Sequence, residues 1–92
     1  MLDKVKMALR INHNLLDADI LETIASARTD MVRAGVPSEV ANNDDYPLTQ
    51  ACIKTYCLYT YATKEDSSRY WESYTYQLDV MRKSTLNPIG GE

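Results

Sequence analysis

The sequence predicts an all-α protein, a small helical bundle of one short and three longer helices. Three observations carry that prediction. Between breaks, apolar residues recur at spacings of three and four, the period of a helix that buries one face. No β-branched segment alternates long enough to form a strand. The breaks are written in turn chemistry: Gly35 with Pro37, Asn42-Asn43-Asp44-Asp45 with Pro47, Lys64-Glu65-Asp66-Ser67-Ser68, and Asn87-Pro88-Ile89-Gly90-Gly91.

The short first helix is expected from about Asp3 to Leu9, with Leu2, Val5, Leu9 and Ile11 on its apolar side. Asn14 reads as the N-cap of the second helix, and Asp17 three residues on suits the positive helix N-terminus. That helix is expected from about Leu15 to Ala34. Leu16, Ile20, Ile24, Ala27 and Met31 make one stripe, and Ala18, Leu21, Ala25 and Val32 make a second about 120° away. Two stripes call for two neighbours. Gly35 stands where a left-handed residue ends a helix, and Pro37 blocks continuation.

The third helix is expected from about Pro47 to Ala62. Leu48, Cys52, Thr55, Tyr59 and Ala62 line one face, broadened by Ala51 and Leu58. Ile53, Tyr56, Cys57 and Tyr61 fall outside it, leaving only Thr49, Gln50, Lys54 and Thr60 as its wet positions. A helix apolar almost all round is buried on several sides, and a chain this short has few helices to surround it, so part of that surface is expected to meet another subunit. The fourth helix is expected to start after Asp66 or Ser67 as a cap and to run to about Ser84. Tyr70, Trp71, Tyr74, Leu78 and Met81 fall within about 100° of arc, and Tyr76 and Val80 form an i, i+4 pair on a different face. Arg82 and Lys83 in the last turn suit the helix dipole. Residues 1–84 form the expected single domain and 85–92 a flexible C-terminal tail.

Composition excludes much. The chain has 92 residues, enough for one domain. Its net charge of −3 leaves no bulk positive charge to hold nucleic acid by counterion release. One histidine rules out a multi-histidine metal site within one chain, and three glycines, two of them at positions 90 and 91, leave no glycine-rich phosphate loop. No apolar run approaches the roughly 20 residues that span a bilayer, and Met1-Leu2-Asp3-Lys4 does not open a signal peptide. Cys52 and Cys57 sit about 140° apart on a helix, so they cannot bridge within it; they are expected as reduced, buried thiols in a reducing compartment. His13 is expected as a loop or capping residue, Asp17, Asp19 and Glu22 as helix-start acids, and Asp44 and Asp45 as solvated loop acids. No catalytic residue, cofactor or metal ligand is expected.

One bias points outward. There are seven tyrosines and no phenylalanine, and six of the tyrosines fall in the stretch from Tyr56 to Tyr76. Tyrosine tolerates half-wet surroundings and is enriched at protein contacts. A small domain has little core per residue, and oligomerisation is a common remedy. Tyr61, Tyr76 and Val80, which lie off the intramolecular stripes, are the candidate subunit-interface residues.

Three blocks carry a family resemblance. Leu2 to Ile11, ending Ala8-Leu9-Arg10-Ile11, resembles the opening of the bacteriophage head–tail connector proteins, also called head-completion, adaptor or DNA-packaging proteins. Pro47-Leu48-Thr49-Gln50-Ala51-Cys52-Ile53-Lys54-Thr55-Tyr56-Cys57 resembles the start of their third helix in phages or prophages of Gram-positive hosts. Ser68-Arg69-Tyr70-Trp71-Glu72-Ser73-Tyr74 resembles the aromatic start of their last helix. Tyr46 stands where the family often has Asp, and Gln77-Leu78-Asp79 only echoes a terminal signature of some members. The resemblance implies a helical bundle whose copies form a ring, a dodecamer in the virion, at the head–tail interface. The implied partners are the portal protein and a stopper or tail-completion protein. DNA is implied only as passing cargo in the lumen, no membrane is involved, and assembly takes place in the host cytoplasm. An acidic chain fits such a conduit, because it repels phosphate. The contrasting expectation is a small helical protein-binding regulator acting as a monomer or dimer.

Overall fold

The computed structural model describes residues 1–86, with side chains through Lys83. Five helices follow in order: α1 (Leu2–Leu9), α2 (Asp17–Arg33), α3 (Ser38–Ala41), α4 (Pro47–Tyr61) and α5 (Lys64–Leu86). The four longer elements match the expected all-α bundle. The single-turn α3 was not expected, since four residues carry no readable period.

Helix ends explain most boundaries. At the C-terminus of α1, Arg10 N–H donates to Met7 O and Ile11 N–H to Lys6 O, with Arg10 at φ 61°. At the end of α2 the same pair of bonds recurs, from Gly35 N–H to Val32 O and from Val36 N–H to Met31 O. These are Schellman closures, which require a positive φ at the first residue past the cap. Gly35, at φ 111°, meets that requirement without a Cβ, as the sequence predicted, whereas Arg10 meets it against its side chain's preference. Behind the second closure Val36 and Met31 are both buried in the core.

Two expected starts are corrected. Asn14 is not the cap of α2: the helix begins at Asp17 with Leu16 in the cap position and no side-chain cap bond. Lys6, carried over from α1, takes both groups instead, bonding Asn14 Oδ1 at 3.0 Å and Asp17 Oδ1 at 2.8 Å. Helix α5 does not wait for Asp66 or Ser67. Thr63 O accepts from the N–H groups of Asp66 and Ser67, so the polar run is the helix's first turn, with Glu65 and Asp66 at its positive end. At the other end α5 continues through Leu86, past the expected stop near Ser84; of the expected tail, residues 87–92 lie outside the described residues.

Helix α4 is the centre of the molecule. It packs against α1, α2 and α5, and a two-residue link, Ala62–Thr63, folds α5 back along it. With neighbours on three sides its buried surface is wider than its expected face. Ile53 and Cys57, read as lying outside, are fully buried, as is Cys52. Thr49, read as wet, is also fully buried; its hydroxyl donates to Val40 O at 2.8 Å and ties α4 to α3. The core stripe of α2 is as expected, with Ile20, Ile24, Ala27 and Met31 buried. From the other side Tyr74 and Met81 of α5 close the core.

Candidate functional site

The surface left over by this packing is the functional candidate. Burial of Ile20, Ile24, Ala27 and Met31 sets the rotation of α2. The second stripe is therefore turned to solvent: Leu21 is 51% exposed, Val32 42%, and Ala18 and Ala25 are exposed as well. Arg28 borders this strip and is held in place, donating to Ala41 O at 2.9 Å and pairing with Asp44 at 2.7 Å. Asp44 is thus a clamp between α2 and the loop before α4 rather than a solvated acid. A shallow open depression lined by Ala25, Arg28, Thr29, Val32, Arg33 and Asn42 runs beside the strip.

The aromatic residues divide by depth. Tyr74 is fully buried and donates to Asp30 Oδ2 of α2 at 2.6 Å, while Arg33 pairs with the other oxygen of Asp30. Burial, reinforced by the bond to Asp30, raises the Tyr74 phenol well above its ordinary pKa. The bond to Asp30 raises the Arg33 guanidinium further, keeping it charged. Tyr56, Tyr59, Trp71 and Tyr74 form one chain of ring contacts with centroids 4.9 to 6.4 Å apart. Trp71 is the rim of that chain, exposed rather than within the core arc expected of it.

The three candidate interface residues are not gathered into one patch by any contact between them. Tyr61, at the end of α4, is 39% exposed and its hydroxyl lies 3.3 Å from Thr23 Oγ1 of α2. Tyr76 is 71% exposed on the outer side of α5, and Val80, one turn on, is half-buried. The exposed Met7, Leu15, Leu21 and Val32 are not among the three candidate interface residues. The last two belong to the second α2 stripe, which was legible. Met7 carried the signal of an apolar residue opposite its helix's stripe, whereas Leu15 was hidden by its assignment to the helix.

Little reactive chemistry is assembled here. Burial pushes the Cys52 and Cys57 thiols up to about 11, so both are neutral and inert near pH 7. His13 is exposed in the α1–α2 loop and its Nδ1 accepts from Leu15 N–H at 3.2 Å. Among the described residues no group of three or more His, Cys, Asp or Glu side chains could hold a metal ion, and no helix is long and apolar enough to cross a membrane. What the surface offers is apolar side chains set between charges, which suits protein contact.

Comparison with known proteins agrees with that reading. A family model described as phage connector protein matches residues 1–86. No curated protein and no solved structure matches the chain.

Proposed function

The chain belongs to the phage connector protein family, and from that membership we propose that its copies form a ring adaptor between the portal and the tail or stopper. The family makes it a structural component of the phage head–tail connector, located in the virion. In the proposed role, a dodecameric ring extends the DNA channel after packaging, having assembled in the host cytoplasm, and no enzymatic step is involved.

The carrying observation is that a chain with a complete core still turns apolar side chains outward on separate helices, Leu21 and Val32 on α2 and Tyr76 on α5. A closed ring is built from heterologous contacts, so each subunit needs two different adhesive faces. Tyr61, Tyr76 and Val80 are proposed to contribute to those contacts. The test is the double substitution Tyr76→Ser and Val80→Ser, followed by ring formation on added portal and helix content by circular dichroism. Ring formation is expected to be impaired with helix content unchanged; a variant that assembles at the wild-type concentration refutes the assignment.

A further inference from the structure

Two outward helix faces carry the same charge pattern at the same spacing. On α2, Glu22 and Arg33 are eleven residues apart; on α5, Glu72 and Lys83 are also eleven apart. Eleven residues make just over three full helical turns and a rise of about 16 Å, so each acid and its base lie on one face. All four side chains are exposed, Arg33 and Lys83 at 74%. Among the described residues neither Glu22 nor Glu72 has an ion-pair partner.

We propose that these faces are the two halves of one contact between copies of this chain, with α2 of one copy lying antiparallel against α5 of the next. This deepens the ring-adaptor reading and rests on it. The antiparallel register sets Glu22 opposite Lys83 and Arg33 opposite Glu72. The parallel one sets like charges together, which is repulsive. In the antiparallel register Ala25 faces Val80 and Thr29 faces Tyr76, so the small side chains of α2 receive the large ones of α5. Pairing α2 with α2 also matches charge but sets small against small. Pairing α5 with α5 sets Tyr76 against Asp79. Bulk therefore selects the heterologous contact, the kind that propagates around a ring.

The test uses the full chain at high concentration and low salt, with self-association followed by sedimentation and native mass spectrometry. Glu22→Lys alone and Lys83→Glu alone are each expected to weaken association about tenfold, and the double reversal to restore it. Circular dichroism should show all three folded. Differently tagged Thr29→Cys and Tyr76→Cys chains, treated with a thiol cross-linker, are expected to join to each other and neither to itself. Three results each overturn the contact: a wild type that stays monomeric, reversals that associate like wild type, or cross-linking of either variant to itself. The connector role has a separate readout. Particles formed without this protein should package DNA but fail to join tails, and normal joining would sink the role whatever the contact does.

Discussion

Tyr74 shows how one buried residue joins distant parts of the chain. Its ring is sealed from water between α4 and α5, and its hydroxyl reaches Asp30 on α2, 44 residues away. The folded state favours a protonated phenol there, as it favours protonated thiols at Cys52 and Cys57, held at about 11 against an ordinary 9.0. Unfolding in alkali lets these groups release their protons, so their stabilisation is complete below the ordinary thiol pKa of 9.0 and is lost as pH rises through about 11. Tyr74 extends the loss to higher pH. The melting temperature should therefore fall progressively above pH 9.0. In the Cys52→Ala/Cys57→Ala and Tyr74→Phe variants the baseline should be lower but the alkaline slope shallower. An unchanged slope in both would show that other groups govern the alkaline limit.

At the scale of elements, two helix ends use one closure with opposite residue choices. Arg10 holds a left-handed conformation at φ 61° that a Cβ disfavours, and Gly35 holds φ 111° with no Cβ. Arg10→Gly should stabilise the chain by up to about 1 kcal/mol, the relief of strain less the greater freedom glycine gains when unfolded. Gly35→Ala should destabilise it by about 1 kcal/mol or more. A Cβ at Gly35 would sit 3.4 Å from Arg82 Nε, so that cost comes from backbone conformation rather than collision. Urea denaturation midpoints measure both, and shifts of the same sign would contradict the shared closure. The clamp of Arg28 on Ala41 O and Asp44 acts on α3 in the same way as Thr49 on Val40 O: polar bonds fasten an element too short to hold itself.

For the whole molecule, the acidic balance bears on how DNA is treated. A net charge of −3 leaves no surplus of cations to release counterions from duplex phosphates. The isolated chain is expected to bind duplex DNA weakly, with an affinity poorer than micromolar at about 150 mM salt. Tight binding in a fluorescence-anisotropy titration at that salt would contradict a passive conduit. The same economy governs the exterior. The core is filled from all five helices, yet Leu21, Val32 and Tyr76 remain outside it. The excess apolar surface expected from the sequence is thus found more on α2 and α5 than around α4.

The sequence determined what depends on local spacing. The all-α class, the extent of α4, the core stripe of α2, the glycine closure at Gly35 and the burial of both cysteines all follow from periods and caps within one segment. So did the second α2 stripe, since its residues are spaced like those of the first. Only the tertiary structure decided which sides of α4 are wet, because a helix apolar almost all round has no preferred rotation until its neighbours are in place. It likewise decided the bond from Tyr74 to Asp30, the capture of Asn14 and Asp17 by Lys6, and the exposure of the second α2 stripe. Each joins residues far apart in the chain or depends on which helix covers which, and a period within one helix carries no information about either.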